Sequence, residues 1–482
     1  MRVPGLALLT LVTSIVPLQG QGIQVTLVEE RSRVAVPGLV SVLSLDGATV
    51  ARALTNPSGY VMIPVPPGRY VVEGARIGFF GARSDTLTVV EGSTAILRLG
   101  MPMDQVMLPE VVTEAPRSEC SARDRSPDLQ TVWEEARKVL ATVVLTREQL
   151  HPTLEVVRFE RTRGPLGALV SDREVARRRG PGNPYHTLNP SELLDGGFSR
   201  TTGGQVMFYA PDADLLLSDD FLATHCFGLT ADAARGRIGL TFTPMPSRTQ
   251  TGIAGTLWMN RAERALEEVE FEYVKAPYPY NRTRATGVVR FARMPRLGWI
   301  VGEWEIRMPK VAQVRQRIVG AQLEEREVVV GSVEEGGVAT PVDPAERRMV
   351  VAARQRADSV VSESPTALLP GGFASAEALL ESYCGAEVAA DSSKGILIGM
   401  IRTANGGPVK GARMRVSWGG DAAPRPGVPT DSGAETDESG GFFACGVPLG
   451  GVLRVDNGGR PVGGPIETRK GERVITRDFV IP

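Results

Sequence analysis

Short apolar stretches alternate with turn chemistry at both ends of the chain. Ile23, Val25 and Leu27 alternate with polar neighbours, as a strand with one buried face requires. Further apolar runs follow at 40–45, 51–54, 60–63, 69–72, 87–90 and 95–99. Between them stand Val36-Pro37-Gly38, Asn56-Pro57-Ser58-Gly59 and Pro66-Pro67-Gly68, where Pro pre-sets its own φ and Gly supplies a positive one. About seven short strands at regular spacing predict a β-sandwich over residues 22–108. The same grammar returns over 392–482: an apolar run at 395–401, the Gly406-Gly407-Pro408 turn, a second run at 412–418 and a Gly/Pro/Asp/Ala loop over 419–435. Thr436-Asp437-Glu438-Ser439-Gly440-Gly441-Phe442 matches Thr55-Asn56-Pro57-Ser58-Gly59-Tyr60. Val447-Pro448-Leu449-Gly450 stands where Val65-Pro66-Pro67-Gly68 stood. This internal repeat is the strongest signal in the sequence and predicts a second sandwich.

Between the two copies, 109–125 reads as a linker and 126–385 as a larger domain. Ser126-Pro127-Asp128 is an N-cap followed by proline at the first helical position, and Leu129, Val132, Trp133, Ala136, Val139 and Leu140 keep one helical face apolar. Strands are predicted over 154–159, 205–209, 238–242, 253–259, 266–273, 286–291 and 299–308, and short polar loops between the later ones favour antiparallel hairpins. Asp343-Pro344 opens another helix to about residue 361, and 375–383 a shorter one. The expected fold class is mainly β, with two Ig-like β-sandwiches flanking an α+β middle domain that holds a large antiparallel sheet.

Both ends resemble the carboxypeptidase regulatory-like domain, a transthyretin-like β-sandwich grouped with carbohydrate-binding-like folds. The first copy carries the resemblance in Val36-Pro37-Gly38, residues 55–60 and Pro67-Gly68-Arg69-Tyr70. The second carries it in Pro408-Val409-Lys410-Gly411-Ala412, residues 436–442 and Val447-Pro448-Leu449-Gly450. Asn56 stands where the family has Asp, and the second copy lacks the Tyr after its last turn. The resemblance implies a transthyretin-like sandwich at each end and, by analogy, carbohydrate or another envelope component as partner; it does not imply a peptidase. Residues 108–115 resemble the segment that joins such a module to the plug of TonB-dependent outer-membrane receptors, with a plain linker strand as the alternative. No series of barrel strands follows. Gly255-Thr256-Leu257-Trp258 followed by 266–273 resembles a hairpin of curved-sheet lipoprotein carriers.

Residues 1–20 read as a signal peptide, with Arg2 before an apolar run from Leu6 to Leu18 and the small residue Gly20 at the cleavage point; a retained anchor or a buried strand is the alternative. The run is short for a membrane span, and nothing later is apolar enough to be one, so no transmembrane segment is expected after cleavage. Secreted, periplasmic or outer-membrane-associated localisation follows. Export makes disulfides the natural use of four cysteines that lack Cys-x-x-Cys spacing. Cys384 lies just ahead of the last module and Cys445 within it, which favours that pair and leaves Cys120 with Cys226; free buried thiols are the alternative. Lys plus Arg total 54 and Asp plus Glu 55, which removes the electrostatic basis for a nucleic-acid partner.

Catalytic motifs are missing. The three histidines, His151, His186 and His225, stand in no His-x-x-Glu or His-Glu-x-x-His setting, and no Gly-x-Ser-x-Gly elbow or phosphate loop occurs. No cofactor and no metal are therefore expected. The densest polar cluster is Asp212, Asp214, Ser218, Asp219, Asp220 and His225, which reads as a solvated acidic loop entering a helix, with an acid–base or cation site as the alternative. Glu268, Glu270, Glu272, Glu303, Glu305 and Arg307 alternate with apolar residues, which puts the charges on one sheet face. On the other, Trp258, Phe271, Trp304 and Met308 are candidates to line a cavity for an apolar ligand, with ordinary core packing as the alternative. Arg177-Arg178-Arg179 reads as an exposed turn in a Gly/Pro-rich loop. The resulting expectation is a non-catalytic secreted or envelope binding or scaffold protein. Its alternatives are an apolar-ligand carrier, a TonB-associated accessory protein, and an enzyme built on the Asp212–His225 cluster.

Overall fold

The computed structural model describes residues 21–109 and 126–481, apart from breaks at 165–166, 168, 186, 203–204, 279, 295–297, 318–322, 349, 352–372, 374, 419–430 and 438. The expected signal peptide, nearly all of the linker and Cys120 lie outside the described residues. The chain forms two compact units, divided between Met107 and Leu108. It is mainly β, with a sandwich at each end and an α+β middle built on a large antiparallel sheet.

The first unit is a sandwich of two sheets. β1 (Gly22–Glu29) runs antiparallel to β4 (Tyr60–Ile63) and parallel to β8 (Thr94–Met101). Opposite lie β2 (Leu39–Leu43), β3 (Thr49–Leu54), β5 (Gly68–Arg76) and β6 (Phe79–Arg83) in the order β3-β2-β5-β6, with β7 (Leu87–Val89) also on β5. Ile23, Val25 and Leu27 pack against Val40, Val42 and Val72 in the core, as the alternation required.

The second unit opens with helix α1 (Pro127–Leu145), capped by Ser126 Oγ, which accepts from Leu129 N at 3.3 Å. Val132, Ala136, Val139 and Leu140 are buried on its inner side. The sheet beneath it runs β13 (His225–Asp232), β14 (Arg237–Pro244), β15 (Gly252–Asn260), β16 (Ala265–Val274), β17 (Thr286–Arg293), β18 (Trp299–Arg317), β19 (Leu323–Pro341), β9 (Leu154–Arg163) and β10 (Leu169–Gly180), every neighbour antiparallel. A two-stranded hairpin, β11 (Ser199–Thr202) with β12 (Gln205–Phe208), and helices α2 (Pro190–Gly196), α3 (Ala213–Leu217) and α4 (Asp219–Thr224) complete the middle. The helix expected from Asp343 begins at Pro344, with Asp343 Oδ1 accepting from Ala345 N and Glu346 N; most of its expected length lies outside the described residues.

The C-terminal sandwich repeats the first. β20 (Lys394–Thr403) pairs antiparallel with β23 (Gly441–Pro448) and parallel with β27 (Val474–Ile481). β22 (Asp431–Glu435), β21 (Arg413–Trp418), β24 (Val452–Asn457) and β25 (Arg460–Pro461) form the facing sheet, with β26 (Ile466–Glu467) on β24. Thr55 Oγ1 accepts from Gly38 N at 2.9 Å, and Thr436 Oγ1 from Ala412 N at 2.8 Å. Asn56 and Asp437 each fold the next turn by accepting backbone N–H bonds from residues two and four positions on. Gly59 (φ 69°) and Gly440 (φ 78°) hold the left-handed step, and a Cβ there would stand 2.5 Å from Leu27 O and 2.3 Å from Ile401 O. These glycines align the copies, so Tyr60 corresponds to Gly441 and Val61 to Phe442. The aromatic residue is thus one place later than the sequence match implied.

The boundary expected near 385–392 does not separate two compact bodies. The end of β18 pairs with β22, Gln316 with Ala434 and Arg317 with Gly433, so one sheet continues from the middle into the C-terminal sandwich. Val328, Val329 and Val330 of β19 and the helix Ala376–Cys384 cover Ile396, Ile398 and Phe443. The Cys384–Cys445 disulfide, with Cα atoms 5.5 Å apart, closes that layer as expected.

Candidate functional site

The nine-stranded sheet has two chemically distinct faces. On the face towards α1, register aligns Leu257, Val269, Val289 and Trp304 in one row and Phe271 and Ile306 about Gly287 in the next. Gly337 opposite Trp304 leaves room for the indole, since a Cβ there would lie 2.2 Å from Cη2. Phe271 and Trp304 are buried. Tyr273 packs edge-on to Phe271 at 5.5 Å, and Tyr185 lies 5.2 Å from Trp304 while donating to Pro211 O at 2.6 Å. Met308, half-buried, shares this face of β18 with Trp304.

Trp258 does not join them. It opposes Glu268 on the charged face, where its Nε1–H donates to Glu270 at 2.9 Å and the Arg237 guanidinium lies 4.6 Å from its ring. The four residues expected around one cavity therefore sit on two sides of the sheet. The alternation of buried Ile253, Leu257 and Met259 along β15 was the signal that placed Trp258 outward.

The charged face is more than a solvated surface. Register sets Glu268 opposite Arg290 and Arg290 opposite Glu303, with contacts of 3.0 and 3.2 Å. Arg237 adds a 2.5 Å contact to Glu268, and Arg163 and Arg307 meet the fully buried Glu334 at 2.6 and 2.7 Å. Opposite charges directly across strands stabilise pairing and register. Burial, with the Glu334 charge next, pushes the Glu305 carboxyl above its ordinary range.

Between α1 and the sheet lies a cavity of about 30 Å³, lined among others by Val143, Arg147, Leu154, Asp212, Trp299 and Ile300. That volume suits a water molecule or two rather than an acyl chain. Asp212 caps α3, accepting from Leu215 N at 2.9 Å; burial pushes its carboxyl up to about 6 against the opposing pull of that N–H. Asp214 forms a 2.7 Å ion pair with Arg147. Ser218 caps α4, as expected, with Asp219 and Asp220 in its first turn. His225 stacks on Phe221 with ring centroids 4.0 Å apart, Nδ1 lies 3.0 Å from Phe221 O, and burial lowers its ring to about 4. The chain thus spends these residues on caps, an ion pair and core packing, and no hydrogen bond joins Asp212 to His225 among the described residues. Cys226 is disulfide-bonded; Cys120, its expected partner, and His186 lie outside those residues. Among the described residues no group of three or more His, Cys, Asp or Glu could hold a metal ion.

Strand β10 was missed, and Arg177-Arg178-Arg179 lie in it rather than in an exposed turn. It pairs only with β9 among the described strands, and eleven of its twelve residues are exposed. A strand open on both faces has no apolar period to announce it, and the following Gly180-Pro181-Gly182 resembles loop chemistry. Arg179 and Arg347 approach the carboxylate of Glu155 at 2.7 and 2.5 Å and, Arg179 foremost, hold it below the usual carboxylate range. Of the aromatics that could stack on a sugar, Tyr60 is exposed, Tyr70 is buried and donates to Pro66 O, and Phe79 lies under the Arg76 guanidinium. Trp418 is partly buried against the C-terminal core.

No helix among the described residues is long and apolar enough to cross a membrane. No family model matches the chain, including that of the regulatory-like domain its ends resemble, and no curated protein matches it. Among solved structures it aligns with the Bacillus anthracis TIE protein at 10% identity, 95% of this chain, 50% of the other and a TM-score of 0.15. It aligns with BcpA, the major pilin subunit of Bacillus cereus, at 10% identity over 95% and 98% of the two chains. The major pilin SpaD of Corynebacterium diphtheriae aligns at 8% over 96% and 98%, both again with TM-scores of 0.15. The chain spans about half the length of the TIE protein. Superposition this poor supports no argument about fold or function.

Proposed function

We propose that this chain is a non-catalytic, exported scaffold or binding protein of the cell envelope, built to hold β modules rigidly and to engage a partner by its surface. The observation that carries the reading is the weld of the second unit: one sheet runs from the middle domain into the C-terminal sandwich, closed by Cys384–Cys445. A buried disulfide suits an oxidising compartment. The apolar face under α1 is occupied by the chain's own side chains, and the cavity beside it has room for water only. Carbohydrate or another envelope polymer is the partner class that the terminal modules suggest, and Tyr60 is the exposed aromatic that could meet it. Modules at 22–108, 126–385 and 392–482, with a second disulfide between Cys120 and Cys226, belong to the same reading.

Native mass spectrometry of the protein isolated from its host's envelope fraction tests the proposal. A bound protein or glycan with no lipid is expected. A stoichiometric co-purified lipid would overturn it in favour of the carrier.

A further inference from the structure

We infer that β10 is a strand-addition site for an extended acidic segment of a partner protein; this deepens the scaffold reading and rests on it. β10 ends the largest sheet, and among the described strands only β9 pairs with it. Its other edge presents main-chain N–H and C=O groups that an added strand can bond, in the manner of peptide recognition by β-augmentation. Edge strands of this length are ordinarily short, covered or twisted away, because they template pairing. Among the described residues no strand pairs with the outer edge of β10, which runs for twelve residues. Bulges interrupt its ladder between Leu169 and Ser171 and between Glu174 and Ala176, but residues 176–180 oppose 158–154 in unbroken register.

Charge selects the partner. β9 and β10 carry seven arginines and four acidic residues, a surplus of three positive charges in a chain whose net charge is −1. Register places Arg177 and Arg179 on the side of Glu155 and Arg178 on the other, so an added strand meets guanidinium groups on both of its faces. Val175 adds exposed apolar surface next to this run. A second copy of the chain would bring the same positive surplus to the contact and be repelled. A polyanion that is not a peptide could pair with the arginines but would leave the backbone edge unbonded. An acidic peptide satisfies both. The molecule already joins sheets this way, since the end of β18 adds to β22.

The test uses the full exported chain and a blocked nonapeptide of alternating Glu and Val, followed by amide hydrogen exchange and titration. Saturating peptide is expected to slow exchange at 176–180 at least tenfold. The same peptide N-methylated at alternate residues, which keeps its charge but cannot add as a strand, is expected to give no slowing. Arg178→Glu, whose one side-chain hydrogen bond among the described residues goes to Asn183 O, is expected to weaken binding at least tenfold while the fold is retained. Absence of slowing, equal binding by the methylated peptide, or slowing confined to another strand overturns the inference. Equal binding by the methylated peptide would mean that the arginines recognise charge alone, and the other two outcomes that they serve to block edge aggregation. Those results leave the scaffold reading standing, and a co-purified lipid would overturn that reading while leaving peptide addition intact.

Discussion

The two sandwiches share strand order, threonine-anchored turns and the same left-handed glycine, yet they bury their first sheet differently. Leu27 N donates to Gly59 O, and Ile401 N to Gly440 O, both at 2.8 Å, which makes Gln24 the counterpart of Ile398 and Met62 the counterpart of Phe443. In the N-terminal copy Gln24 and Met62 lie on the half-exposed outer side of β1 and β4. In the C-terminal copy that side is roofed by β19 and the helix Ala376–Cys384, and β20 reads as a nearly continuous buried run. One topology thus stands as its own unit and also serves as a wall of a larger one. The change lies in a few outward positions, because the core-facing alternation is common to both.

Four experiments break or sharpen this comparison. The largest effect is expected from removing the disulfide. It closes a separation of 61 residues, for which loop-closure entropy predicts a loss of about 4 kcal/mol. In calorimetry the Cys384→Ala/Cys445→Ala variant should lower the transition of the larger unit and leave that of the N-terminal sandwich in place. A shift in both transitions would show that the units unfold together. Next, Phe443→Ala should cost about 3–4 kcal/mol and Met62→Ala, at the equivalent position, about 1 kcal/mol or less by denaturant titration. Equal costs would remove the distinction between roofed and open sheets.

The third concerns acid. Every histidine lies in the second unit, and so do Asp212 and His225, whose shifts oppose each other. His225 falls to about 4 on folding, so its contribution is full above about 6.5 and is lost as pH falls towards 4. Asp212 rises to about 6, so its contribution is full below about 3.9 and is lost as pH rises through 6. The two nearly cancel in the native chain between pH 4 and 6. Relative to it, Asp212→Asn should gain about 2 kcal/mol of stability from pH 4 to 6, and His225→Phe should lose about 2 kcal/mol over the same window. Parallel curves for all three proteins would contradict the burial of these groups. The smallest effect tests what the copies share. Thr55→Val and Thr436→Val should each cost about 1–2 kcal/mol through an unsatisfied backbone N–H.

The sandwiches and their repeat were legible because turns are written locally: Asn56 and Gly59 fold their bend with their own side chain and φ angle, and the Cys384–Cys445 pair followed from where the two cysteines stand relative to the last module. Helix α1 was legible for the same reason, through Ser126 and its apolar face. The candidate site was legible only in part. Phe271, Trp304 and Met308 share a face as their parity implied, but Trp258 was grouped with them by residue type against the alternation of its own strand. Strand β10 escaped because a strand exposed on both faces carries no apolar period, and β19 because it mixes a buried run at Val328–Val330 with charges such as Glu334 that only its neighbours neutralise.

By itself the sequence determined where the chain turns and which residues face a core, since each depends on bonds and contacts within a few residues. Only the tertiary structure decided what covers each face. Period two announces that a strand has two sides, but whether the second meets water, an ion-pair ladder or a roofing helix depends on partners tens to hundreds of residues away. Glu334 with Arg163 and Tyr383 with Phe443 are such pairs.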